Sequence, residues 1–97
     1  MIRSFRSRAV EDIFDGAETP AARRACPQAL WSVARRKLDQ INRVRQLLEL
    51  AVPPVNHLER LRGDRAGEHS VRINDQFRVC FRWEGEDAYD VEITDYQ

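Results

Sequence analysis

The chain reads as a single α+β domain, with helices in its first half and antiparallel strands in its second. Three observations predict this. Apolar residues recur at steps of three and four up to Val44, and alternate with polar residues from Ser70 onward. Gly, Pro, Asn and Asp mark the boundary between these halves and the turns within the second. Ninety-seven residues are enough for one two-layer core, in which roughly two-thirds of the unfolded chain's surface is buried. No internal repeat, low-complexity tract or linker divides residues 1–97, so one domain is expected throughout.

The elements follow in order. Met1-Ile-Arg-Ser-Phe5 reads as a short edge strand. Ser7 is placed to cap a helix through Ala9–Phe14 that Gly16 stops, with Glu11 and Asp12 near its positive end. Thr19-Pro20 and Cys26-Pro27 are further cap-plus-first-turn signals, and Ala21–Ala25 reads as a brief helical turn or a loop. A long helix begins near Pro27. Its core face is Leu30, Val33, Ala34, Leu38, Ile41 and Val44, and Arg35, Arg36, Asp39, Gln40 and Arg43 take the other face. Leu47, Leu48 and Leu50 form one more turn before Pro53-Pro54 ends helical structure. This half reads as core-facing scaffold. Strands follow with Val71 and Ile73, then Phe77, Val79, Phe81 and Trp83, then Tyr89, Val91 and Ile93 on one face. Asn74-Asp-Gln76 and Glu84-Gly-Glu-Asp87 supply the hairpin turns.

Composition excludes several classes. The chain is 42% hydrophobic and 33% charged, and no apolar run approaches the roughly 18–20 residues that a membrane span needs. The basic N-terminus lacks the apolar stretch of a secretory signal, and Cys26 and Cys80 are too few for a disulfide framework, so the cytoplasm is expected. The net charge of zero conceals a split. Residues 1–82 carry all 16 Lys and Arg against ten acids, leaving six acids for the last fifteen residues. Such a balance disfavours free-standing, nonspecific nucleic-acid binding, which depends on net phosphate neutralisation. It favours a local arginine site on RNA held in place by something else, or a protein surface as target.

That site is expected between Leu58 and Tyr96. Arginines stand at 60, 62, 65, 72 and 78 around glycine-marked turns, and Asp95 adjoins Tyr96 near the end. A guanidinium offers a planar fork of donors that can grip two phosphate oxygens. Together with a carboxylate and a phenol, such groups suit metal-free chemistry on a phosphodiester. An ordinary phenol ionises near pH 10, so its use as a base at pH 7 costs about 4 kcal/mol. The alternative is a set of solvated strand arginines paired with Asp90 or Glu92, and a terminal tyrosine packed on the core. His57 reads as a surface-loop residue able to swing toward the site, and His69 opens a strand. Neither stands at metal-ligand spacing from Cys26 or Cys80, so no metal or cofactor is expected. Cys80 reads as a small buried filler on the arginine face. Gly63-Asp-Arg-Ala-Gly67 lacks nucleotide-loop spacing and reads as a hairpin turn that carries Arg65.

Leu58-Glu-Arg-Leu-Arg-Gly-Asp-Arg65, Ser70-Val-Arg-Ile-Asn-Asp-Gln-Phe-Arg78 and Val91-Glu-Ile-Thr-Asp-Tyr96 together resemble the HigB branch of the RelE/ParE toxin superfamily. Met1–Phe5 and Arg36-Lys-Leu-Asp-Gln-Ile-Asn42 fit the same pattern. The resemblance implies a RelE-like fold, with two N-terminal helices packed on an antiparallel sheet. It also implies a type II toxin that cleaves mRNA in the ribosomal decoding site and is neutralised by a HigA-type helix-turn-helix antitoxin, through which it reaches operator DNA. By position, Arg62 and Arg78 match the phosphate-contacting basic residues, and Asp95 and Tyr96 match the terminal acid–phenol pair. Glu59 occupies a place where some relatives carry histidine, and Gln97 stands where such toxins commonly end in histidine. Arg60, Arg65, Arg72 and Arg82 are the accompanying candidates for RNA or ribosome contact. The resemblance also leaves two other functions open, because ParE relatives on this scaffold inhibit DNA gyrase. One is a catalytically idle toxin acting on such a protein, and the other is a module that keeps antitoxin and operator binding alone.

Overall fold

The computed structural model describes residues 1–95. Three α-helices precede the sheet: α1 (Arg8–Asp15), α2 (Pro20–Ala25) and α3 (Trp31–Arg43). The strands β1 (Glu59–Arg60), β2 (Glu68–Arg72), β3 (Phe77–Glu84) and β4 (Asp87–Asp95) form an antiparallel sheet in the order β1-β2-β3-β4. The α+β class is as the sequence predicts, whereas the described residues hold three helices where two are expected. Ala21–Ala25 belongs to a regular helix because Pro20 opens it and the Thr19 hydroxyl accepts the Ala22 N–H at 3.1 Å.

The N-terminal segment also departs from expectation. Met1–Phe5 lies beside β4 through two isolated parallel bridges, Ile2–Ala88 and Phe5–Val91. It is no continuous strand, and its direction makes this edge of the sheet parallel. Ser7 adopts the extended N-cap backbone without a side-chain cap bond. Gly16 closes α1 as expected, with φ of 81° and its N–H on the Asp12 and Ile13 carbonyls. Asp12 is buried, not dipole-facing at the surface: its carboxylate accepts from the Thr19 hydroxyl at 2.8 Å and from Arg8 Nε at 3.1 Å.

α3 lays Ala34, Leu38 and Ile41 into the core with Val10 and Ile13 of α1, and the sheet contributes Val71, Val79, Phe81, Ala88 and Val91. Between helix and sheet, 3₁₀ turns at Leu47–Ala51 and Pro54–Asn56 carry the chain across. Asn56 is fully buried there. It accepts from Lys37 Nζ at 2.5 Å, and its Nδ2 donates to Gln40 Oε1 at 2.9 Å and the Leu50 carbonyl at 3.1 Å. A polar side chain at the centre of that network fastens the crossing segment to α3, beside the apolar anchor of the fully buried Leu50. No helix in the described residues is long and apolar enough to cross a membrane.

Candidate functional site

Cross-strand register decides which side chains share a face. Glu59 lies opposite Ser70, Ser70 opposite Cys80, and Arg72 opposite Arg78. These residues occupy the sheet face turned away from the helices. The β2–β3 turn follows directly: Asn74 Oδ1 accepts the Gln76 and Phe77 N–H groups at 2.9 and 2.7 Å, folding an Asx turn just beyond Arg72. At this end of the sheet His57, Glu59, Arg72, Asn74, Asp75 and Arg78 line a cavity of about 230 Å³.

Arg78 is the best-held group in it. Its Nε donates to Ser70 Oγ at 2.8 Å and its Nη2 to the His57 carbonyl at 2.6 Å, while Nη1 lies 3.6 Å from Glu59 Oε1. With the side chain 12% exposed, the guanidinium is fixed in place before any ligand arrives. Arg72 is paired with Asp75 across the turn. His57 reaches this cavity because Pro54–Asn56 ends in a left-handed residue, His57 itself, at φ of 44°. From sequence, His57 reads as a surface-loop residue able to swing toward the site. The signal for its placement is the Pro-Pro-Val-Asn turn preceding it, whose shape a linear pattern does not disclose.

The predicted residues thus divide. Glu59, Arg72 and Arg78 come together. Arg62 is exposed beyond β1, near the Glu68 end of β2, and its side chain makes no hydrogen bond or ion pair among the described residues. Asp95 lies opposite Phe77, so alternation sets it on the Phe77 face, where Gln76 Nε2 reaches it at 2.9 Å. Arg78's opposite number on β4 is Thr94. Tyr96 lies outside the described residues.

The other arginines are engaged elsewhere. Arg65 donates to Glu68 at 3.1 Å and to Glu92 at 2.5 Å, and Arg6 approaches the same two carboxylates at 3.7 and 3.4 Å. The Glu92 carboxylate, by accepting its hydrogen bond, holds the Arg65 guanidinium above its ordinary pKa. Ser70 and Cys80 are fully buried beside this quartet. Arg82 lies over the Tyr89 ring, 4.8 Å from its centroid, and pairs with Glu84 at 2.5 Å and Asp90 at 3.5 Å. Arg60 is opposite His69. Desolvation first, then Arg60, depresses the His69 pKa. The ion pairs with Asp90 and Glu92 considered for Arg62 and Arg78 belong instead to Arg82, Arg65 and Arg6.

The sheet topology and the cavity that holds Arg72 and Arg78 stand with a family match over nearly the whole chain. The model of RelE-like toxins of type II toxin–antitoxin systems, HigB, matches residues 3–97. The chain belongs to the HigB-like toxin family. Among its relatives, Toxin HigB-1 of Vibrio cholerae serotype O1 is 29% identical over 83 residues, covering 86% of this chain and 84% of that one. An uncharacterized protein of Haemophilus influenzae is 36% identical over 62 residues, or 64% of this chain and 61% of the relative. Membership in this HigB-like family implies an antitoxin partner.

Proposed function

We propose that this HigB-like toxin is a ribosome-dependent endoribonuclease that cleaves mRNA in the decoding site. The observation that carries this reading is the juxtaposition of Arg72 and Arg78 across one register position, in a cavity that also holds Glu59 and His57. Family membership supports it independently.

The chemistry requires three tasks. A 2′-hydroxyl must lose its proton as its oxygen attacks phosphorus. The phosphoryl oxygens must be stabilised as charge builds on them. The departing 5′-oxygen must gain a proton as its bond to phosphorus breaks, leaving a 2′,3′-cyclic phosphate and a 5′-hydroxyl. Arg78 suits the second task, because a preorganised cation needs no reorganisation as charge develops, and Arg72 adds a second guanidinium. For the first task the cavity supplies the Glu59 carboxylate, and His57 is also among its lining residues. Tyr96 is assigned the leaving-group proton, with Asp95 orienting it from the adjacent position. Arg62, exposed and unengaged among the described residues, is assigned to the RNA backbone outside the cavity. A HigA-type antitoxin is the assigned neutralising partner.

End-mapping of mRNA in a reconstituted translation reaction tests this. Wild-type protein yields ribosome-dependent cuts, and Arg78→Ala lowers their rate by about 10²–10³-fold. Intact message accompanied by trapped gyrase–DNA adducts refutes the nuclease reading in favour of a protein-directed toxin. Intact message with antitoxin binding alone leaves a binding module.

A further inference from the structure

A second cavity, of about 360 Å³, opens between α3 and the segment before β1, and Arg72 lines it as well as the first. Arg36 and Lys37 of α3 join Arg72 there, beside Val33, Val55 and Ile73, and no carboxylate is among its lining residues. We infer that this cavity is a second anion subsite, in which Arg36, Lys37 and Arg72 hold a backbone phosphate of the same RNA strand whose scissile phosphate sits at Arg78. The inference rests on the RNA reading of the first cavity and names where the strand continues.

Three features carry it. Arg72 lines both cavities, so they adjoin at its side chain, and a strand leaving the first passes Arg72 on its way to the second. Lys37 is held in position by Asn56 Oδ1 at 2.5 Å, and Arg36 is exposed without an ion-pair partner among the described residues. Cations on α3 therefore line a space with no carboxylate among its lining residues, which is the arrangement a phosphate completes. Burial, and then Arg36, lower the Lys37 pKa, a crowding of like charge that an anion relieves. The apolar wall suits the ribose and base faces between phosphates. Val55, 58% exposed, stands open to such contact.

Fluorescence anisotropy with labelled 2′-O-methyl RNA, which cannot be cleaved, tests the assignment. A tetranucleotide spans both cavities, whereas a dinucleotide has one linkage and fills only the first. Arg36→Gln/Lys37→Gln is expected to weaken the tetranucleotide about tenfold. The slope of log K against log salt should fall by about 0.7 for each phosphate that is no longer neutralised. Dinucleotide affinity should be unchanged. Arg36→Gln alone, at an exposed position that leaves the Lys37–Asn56 bond intact, should give part of the same loss. The inference is overturned if the double variant binds both ligands like wild type while Arg78→Gln weakens both; the surface then serves another partner, such as the antitoxin. It is equally overturned if Arg23→Gln/Arg24→Gln on α2 produces the same loss, which would mark a general charge effect. If Arg78→Gln also changes nothing, the RNA reading of the first cavity fails with it.

Discussion

Asn56→Ala is the substitution whose cost can be worked most directly from the structure. The side chain is wholly buried and makes three good hydrogen bonds, one of them to the Lys37 ammonium at 2.5 Å. A bond to a charged group contributes about 1.5–3 kcal/mol, a neutral one about 1 kcal/mol, and an abandoned buried carbonyl adds its desolvation. The expected loss is therefore about 3–5 kcal/mol, a large share of the roughly 5–15 kcal/mol that holds a domain together. For a domain of this size it corresponds to a melting temperature lower by at least ~12 °C. Urea unfolding followed by circular dichroism measures it directly. Asn56→Asp keeps an acceptor for Lys37 but turns an oxygen toward the Leu50 and Val52 carbonyls, so it should not restore wild-type stability. The substitution also reaches the candidate site, since His57 is the next residue and its carbonyl fixes Arg78. Message cleavage should fall in Asn56→Ala even at temperatures where it remains folded. A loss below about 1 kcal/mol would show that water replaces the network freely, and would refute the reasoning.

Thr19→Val removes both the cap on Ala22 and the donor to Asp12, and should cost about 1–2 kcal/mol in urea unfolding. Stability should also depend on pH through two groups. The Thr19 hydrogen bond, aided by Arg8, lowers the Asp12 pKa, so its contribution is present above the ordinary carboxylate range and disappears as pH falls through and below it. His69, with a depressed pKa from burial and Arg60, is taken up neutral on folding; protonation favours the unfolded chain, and stability falls as pH drops below about 6.5. Unfolding midpoints at pH 4, 6 and 8 that do not decline toward acid would contradict both assignments. Burial raises the Cys26 thiol to about 11, and Cys26 and Cys80 are both buried. Native protein should resist iodoacetamide at pH 8, with labelling appearing only in denaturant.

The apolar skeleton was legible in the sequence because periodicity reports which side chains leave water. α1, α3 and the three longer strands follow from it, as do the Asn74–Gln76 and Glu84–Asp87 turns. What escaped is polar burial. Nothing in the spacing of Asn56 separates it from a loop asparagine, and Asp12 looks like a dipole-facing acid until Thr19 folds back on it. The arginine site was half legible for the same reason. Alternation places Arg72 and Arg78 on one face, but it cannot tell that Arg65 meets Glu92, 27 residues away. It also cannot show that the left-handed His57 turns its carbonyl toward Arg78. Asp95 was grouped with Arg78 through adjacency to Tyr96, whereas strand parity sets it with Phe77.

The quartet of Arg6, Arg65, Glu68 and Glu92 makes part of the sheet's outer surface electrically quiet. Two guanidinium groups lie against two carboxylates in that quartet, so a passing polyanion meets little net field there. The number of arginines in the chain therefore overstates its grip on RNA. At the opposite end Arg72 faces Asp75 and Arg78 faces Glu59, so an approaching strand has to compete with those carboxylates, and where it settles is written in the acids as much as in the bases.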